Sequence, residues 1–373
     1  MNPPESFNYR HVGGRFPGLI AVAAAAWGAV LLGALANPAQ FAFSYLFAWT
    51  FFFTIGVGAL FWTLVHHATR AQWSVVVRRQ LENLAGLLLV LAVLFVPFVF
   101  AGHRLWPQPA WSFWLKASAY FLIFVATASF LRALSIAQDN DGSEARLALC
   151  RRVAFIGAAP FALCLTFASF DWLMSLQPGW HSTIWGVYLF AGSALGAICL
   201  LVLIVATLQS AGHLRGVVTA EHYHIMGKLM FVFTMFWGYI AFSQYLLIWY
   251  ANLPEETAWF VLRGQGSWRV LGMLLVTGQF LVPFLLLLPA VSKRAPRLLC
   301  AIALWILAMH LLDVYFLVLP ALHRGGVSVS FQDISCLLAV GCTLAVFFLK
   351  WLGDSALYPP RDPRLPQSLA LKN

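Results

Sequence analysis

The chain has 373 residues, is 61% hydrophobic and carries only 10% charged side chains, with a mean hydropathy of +0.81. That balance excludes a soluble enzyme built around one large core and defines an integral membrane protein whose length is spent on spans. The formal charge of +10 points to basic loops flanking a membrane rather than to nucleic acid.

Met1 to Pro17 is polar and contains no signal-peptide h-region, so insertion is expected to rely on the first span. A hydrocarbon core of about 30 Å takes about 20 apolar residues per helix. Ten such runs follow, near 18–36, 41–65, 84–101, 113–134, 153–175, 183–208, 226–251, 268–289, 297–319 and 332–352. They predict an all-α polytopic membrane protein with ten transmembrane helices. Pro97, Pro160 and Pro283 fall inside spans, where membrane helices tolerate proline. From Tyr358 to Asn373 the chain is proline-rich and polar, which predicts a cytoplasmic tail free to dock on a partner.

Of the 23 Lys and Arg residues, only Arg104, Lys116, Arg263, Arg269 and Arg324 lie at odd-numbered loops. The positive-inside rule then puts both termini in the cytoplasm. Nine of the 16 tryptophans (Trp106, Trp111, Trp114, Trp172, Trp180, Trp185, Trp249, Trp259 and Trp268) fall at or near outer loops, as an interfacial belt would place them. The six cysteines, Cys150, Cys164, Cys199, Cys300, Cys336 and Cys342, show no C-x-x-C, C-x-x-C-H or ferredoxin-like spacing. Neither an iron–sulfur cluster nor covalent haem is expected on this chain, and the cysteines are read as packing residues.

Two halves of the chain echo each other. Tyr45-Leu46-Phe47-Ala48 in the second run recurs as Tyr188-Leu189-Phe190-Ala191 in the sixth, and Asp171 and Asp313 end the fifth and ninth at nearly the same offset. An even number of helices per repeat keeps both copies in one orientation, related about the membrane normal. The expected architecture is two antiparallel four-helix bundles, 41–175 and 183–319. Two peripheral elements lie outside them: 1–40, which includes the N-terminus, and helix 332–352, which leads into the tail 353–373.

A carboxylate inside a span needs a site or a partner. Asp171, and the pair His310 and Asp313 one turn apart on one helix face, are therefore candidates for handling quinol or relaying protons. Glu255, Glu256, His181, His323 and Asp333 gather on the same side. The loop groups among them are read as solvated and Asp333 as a helix-start residue. A carboxylate or imidazole beside a quinol hydroxyl can act as general base, and the same groups would serve an ion transporter. On the cytoplasmic side His66, His67, His222, His224 and Lys228 are candidates for proton entry, with His213 and Glu221 nearby; a wetted loop is the ordinary alternative. Thr63, Ser118, Thr127, Ser193, Thr234, Ser243, Gln244, Thr277 and Gln279 lie inside spans and by default join helices by hydrogen bonds. Only His310 sits clearly within a span, so a haem b site is not expected. No Walker, Rossmann or zinc motif is present.

The stretch Asp171-Trp172-Leu173-Met174-Ser175-Leu176, with Pro178, Trp180, Ser182-Thr183, Gly186 and Ala191-Gly192-Ser193, resembles a membrane subunit of alternative complex III. So do Gly227-Lys228-Leu229, Phe236-Trp237-Gly238-Tyr239-Ile240-Ala241-Phe242-Ser243-Gln244-Tyr245 and Ile248 to Thr257. The likeness is to the ActF-type subunit, quinone-binding subunit 2 of quinol:cytochrome c oxidoreductase. It implies the NrfD/PsrC-like fold of ten spans and two four-helix bundles. It also implies partners: a multihaem cytochrome c, an iron–sulfur subunit of the molybdopterin-enzyme type, a second NrfD-like subunit and smaller membrane subunits. Haem c and iron–sulfur clusters then belong to those partners, quinol is the substrate, and this type of subunit supplies structure and a proton route in the inner membrane. Two other readings stay open: the membrane anchor of another NrfD-type molybdopterin oxidoreductase, and a secondary transporter coupling ions through Asp171 and Asp313.

Overall fold

The structure, a computed structural model, describes residues 16–106 and 109–372. The N-terminal segment expected on the cytoplasmic side lies, up to residue 15, outside the described residues. In chain order the helices are α1 (Phe16–Ala36), α2 (Pro38–Thr69), α3 (Arg78–Val93), α4 (Phe98–Ala101), α5 (Ala110–Asp141), α6 (Glu144–Trp172), α7 (Trp185–Ser210) and α8 (Ala220–Ala251). They continue with α9 (Pro254–Arg263), α10 (Gly266–Leu275), α11 (Val282–Leu287), α12 (Ala290–Arg294), α13 (Pro296–Val318), α14 (Phe331–Gly353) and α15 (Leu365–Leu369). No strand occurs among the described residues. Nine helical stretches there are each long and apolar enough to cross a membrane, and α3 joined to the α4 region passes the same test as a bent pair. The chain is a multi-pass helical membrane protein.

The sequence starts several of these helices where capping chemistry is available. Asn37 accepts from the Gln40 N–H at 3.1 Å to start α2, and Thr219 pairs with His222 to start α8. Ser330 and Asp333 form a reciprocal box at α14. The three span prolines have three different outcomes. Pro97 sits at a 50° break between α3 and α4. Pro160 is carried inside an unbroken α6, and Pro283 follows a π-helical turn at Val276–Leu281. A missing N–H can be met by a kink, by neighbouring helices or by a wider turn.

α2 and α7 are the central pair, with 78% and 72% of their apolar windows buried inside the protein, against 17–33% for most others. α2 packs on α3, α6, α7, α13 and α14, and α5 bridges α3 and α6. α7 packs on α8 and α13; α8 packs on α11 and α12; α1 lies against α14. The central contact is close because Gly58 has no side chain. A Cβ there would stand 2.0 Å from the Ser193 carbonyl oxygen and 2.8 Å from Ala197, and the Trp62 indole donates to the Ala194 carbonyl at 2.9 Å one turn along. Gly58→Ala is expected to lower the thermal midpoint of the detergent-solubilised protein, with about 1–3 kcal/mol lost to overpacking. Gly28→Ala, with nothing within 4 Å, is expected to leave it unchanged.

Two sequence expectations need correction. Trp106, Trp172, Trp180, Trp185, Trp259 and Trp268 are buried, whereas Trp111 and Trp249 are 75% and 63% exposed. Most of the supposed belt is therefore core, and four of these indole N–H groups find backbone carbonyls inside, whereas that of Trp172 is buried without a partner. Trp106 donates to Trp172 at 3.1 Å, Trp180 to Glu256 at 2.9 Å, Trp185 to Ser169 at 3.2 Å and Trp268 to His323 at 2.8 Å. The C-terminal tail does not extend away. Leu357, Asp362, Leu365 and Ser368 are buried, the Gln80 amide donates to the Leu357 carbonyl at 2.8 Å, and Arg361 donates to the Asn140 carbonyl.

Candidate functional site

α13 carries His310 and Asp313 on one face, toward α7 and α2. The Tyr188 hydroxyl of α7 donates to Asp313 Oδ1 at 2.5 Å, and both residues are buried. The Trp237 indole N–H also faces this carboxylate but falls outside hydrogen-bond geometry. No Lys or Arg forms a salt bridge with Asp313 among the described residues. One turn away His310 Nε2 lies 2.9 Å from Thr54 Oγ1 of α2, while its Nδ1 is buried with no partner. Gly192 and Gly196 of α7 make room for the ring: a Cβ at either would stand 3.0 or 3.2 Å from imidazole carbons.

Asp171 is brought to a different environment. It accepts from Lys116 Nζ at 2.5 Å and from the Tyr120 hydroxyl at 2.7 Å, and the Lys116 side chain is 40% exposed. The matched tyrosine of the first half, Tyr45, does not reach Asp171; it donates to the Leu94 carbonyl at 2.6 Å, at the break before α4. The two aspartates thus occupy matching sequence positions but dissimilar sites. One is neutralised by a solvent-accessible lysine and the other is enclosed with a phenol.

Elsewhere in the interior further polar atoms lack partners: Thr234 Oγ1 of α8, and both Gln279 side-chain atoms, which lie in the π-helical turn. Thr234 and Gln279 are fully buried. Buried polar groups are normally satisfied by protein or by water, and π-turns recur at functional positions. Beyond Tyr188, Arg263 of α9 is buried, donates to the Phe316 and Leu317 carbonyls at 3.0 Å each, and lies 3.7 Å from the centre of the Trp259 ring. Burial pushes its pKa down to about 9, so it stays cationic at neutral pH.

On the same side Asp333 is the helix-start residue that the sequence implied, and it is buried. It closes the α14 box and also accepts from Ser44 at 2.6 Å and from Gln40 at 3.4 Å. Gln40 in turn meets His323 Nε2 at 2.9 Å. This chain ties α14 to α2.

At the basic end His66 and His67 belong to a buried charge network that sequence patterning did not expose. Arg78 binds Asp362 at 2.8 Å and Glu82 at 3.1 Å, and Arg79 binds Asp139 at 2.6 Å and Glu82 at 3.6 Å. Arg364 binds Asp362 at 2.8 Å. His66 meets Ser74 at 2.5 Å and Arg364 at 3.3 Å, and His67 lies 3.8 Å from Glu82. His222 instead caps α8 through Thr219 at 3.0–3.1 Å. His224 lies 3.8 Å from Glu221, which also pairs with Arg294, and Lys228 is exposed. The five proton-entry candidates therefore fall into separate groups rather than one path. The sequence traces of the network were the i,i+4 spacing of Arg78 and Glu82 and the i,i+3 spacing of Arg79 and Glu82.

Burial alone would raise the Asp362 pKa, but the Arg364 hydrogen bond and the Arg78 and Arg364 charges outweigh it and hold the carboxyl below its ordinary value. A depressed folded-state pKa contributes stability above the unfolded value of about 3.9 that is lost as pH falls through the folded value. The tail is expected to stay docked at neutral pH and to release only in strong acid, read as protease sensitivity or hydrogen exchange of 355–372 against pH. Release between pH 6 and 7 would contradict this account of the latch.

No protein-family model matches this chain, and no curated protein matches it.

Proposed function

We propose that this protein is a membrane subunit of a quinol-oxidising respiratory complex of the alternative complex III type, in which it carries protons rather than electrons. The observation that supports the reading best is the enclosed Asp313–Tyr188 pair, with His310 one turn away and its Nδ1 open. A carboxyl and a phenol within 2.5 Å, with an imidazole beside them and no salt-bridged cation, can pass a proton along water-bridged polar atoms. Asp313 and His310 are 2% and 1% exposed, which favours relay over direct contact with a quinol ring. Quinol oxidation, haem c and iron–sulfur clusters are then work for partner subunits.

Counting the bent α3–α4 pair as one crossing gives ten spans and returns both termini to one side. The positive-inside bias supports the cytoplasm as that side, and the respiratory reading puts the membrane as a bacterial inner membrane. On this reading α2 to α6 form one four-helix group and α7 to α13 the other, with α1 and α14 outside. The test is purification of the native assembly in mild detergent. Co-purification with c-type haem absorbance and an iron–sulfur subunit is expected. A colourless, stable, isolated chain that transports a solute would sink the reading.

A further inference from the structure

A cavity of about 300 Å³ lies between α2, α6 and α7. Phe61 and Leu64 of α2, Ala158 and Ala162 of α6, and Gly186 and Phe190 of α7 line it. Ala158, Ala162 and Val187 are exposed, so the trough opens sideways, toward where lipid would lie. Its tryptophan-rich end is closed. Gly186 brings α7 onto α6, where a Cβ would stand 2.8 Å from Thr166 Oγ1, and Trp185 donates to the Ser169 carbonyl at 3.2 Å. From Ala154 to Thr166, both lining residues, α6 rises about 18 Å, close to the roughly 15 Å of one leaflet.

The basic end differs in chemistry. Arg151 lies on the same α6 face, one turn before Ala154. Its guanidinium is 5.5 Å from the centre of the Phe155 ring, and its Nε is buried without a hydrogen-bond partner. Arg70 directly follows Thr69, the last α2 residue of the lining. The acid nearest in sequence on that α6 face, Glu144, begins the helix two turns further out, about 10 Å away along the axis.

We propose that this trough is a phospholipid site, with one acyl chain along α6 and an anionic headgroup at Arg151 and Arg70. A neutral isoprenoid chain would fit the apolar part but would leave the two arginines without a role, so charge complementarity selects the anionic lipid. The inference does not depend on the proton-relay reading.

The full chain, reconstituted in vesicles of equal phosphatidylglycerol and phosphatidylcholine and re-extracted in mild detergent, is examined by native mass spectrometry for retained lipid. Wild type is expected to keep one phosphatidylglycerol. Arg151→Gln is expected to lower the preference for phosphatidylglycerol about fivefold, the effect of one arginine at an anionic lipid surface. Ala158→Trp, which fills the trough from its lipid side, is expected to abolish retention. Equal retention of both lipids by wild type overturns the proposal. So does an unchanged preference in Arg151→Gln, or protein from native membranes that holds a quinone or a partner helix in the trough.

Discussion

Asp313→Asn is expected to lower quinol-driven turnover of the assembled complex, or the protons moved per turnover, by at least about 100-fold, the lower end of what a positioned acid–base group contributes. The variant should still assemble, because Asn presents an oxygen to the Tyr188 hydroxyl, now 2.5 Å from the carboxylate, and keeps the side-chain volume. Asp171→Asn is the internal control. Its lysine partner is 40% exposed, so loss of the pair leaves a cation that water can solvate, and such pairs are worth about 0–1 kcal/mol. Near-normal turnover is expected there. Equal loss in both variants would show that the two aspartates share a role, and no loss in Asp313→Asn would remove the relay. Purified complexes of matched haem content, assayed for quinol oxidation and for acidification of the medium, separate these results.

Arg78→Met is expected to destabilise the protein by about 3–5 kcal/mol, the usual effect of removing one member of a buried ion pair. Arg78, Glu82 and Asp362 are each at most 3% exposed. Without the guanidinium, the Asp362 carboxylate keeps only Arg364, and Glu82 keeps Arg79 at 3.6 Å. The tail should detach, seen as a lower thermal midpoint and faster proteolysis after Gly353. Arg78→Lys retains charge but cannot span Asp362, Ser135 and Gln138 at 2.8, 3.1 and 3.3 Å together, so an intermediate loss is expected. Replacing Arg78 and Glu82 together by apolar residues should recover part of it, since the buried Glu82 carboxylate, left with only its longer contact to Arg79 at 3.6 Å among the arginines, is then gone. A single variant as stable as wild type would mean that the network does not hold the tail.

Much of the fold was legible because membrane spans announce themselves locally. The apolar run 297–319 corresponds to α13, and 183–208 to α7 with its start shifted to Trp185. The runs underestimated α2, α5 and α8, each 32 residues long. Their ends are polar in sequence yet packed in protein, as at Gln138 and His222, and hydropathy cannot register a polar residue whose partner lies on another helix. The break before Pro97 and the π-turn before Pro283 were likewise hidden, since proline marks only that a hydrogen bond is missing.

The candidate site was partly legible. Spacing alone put His310 and Asp313 on one face, and the repeated Tyr-Leu-Phe-Ala marked Tyr188. Nothing in the sequence said that Tyr188 meets Asp313 while Tyr45 turns to Leu94, nor that Gln279 and Thr234 lie inward with no partner. The sequence by itself determined a multi-pass helical protein, the approximate positions of its spans and the uneven distribution of its charge, because all three follow from side-chain transfer energies summed along the chain. Only the tertiary structure decided which aspartate is enclosed, which tryptophans are core and where the tail rests. Those outcomes depend on partners far apart in sequence, as with Arg78 and Asp362, Tyr188 and Asp313, and Gly58 and Ser193.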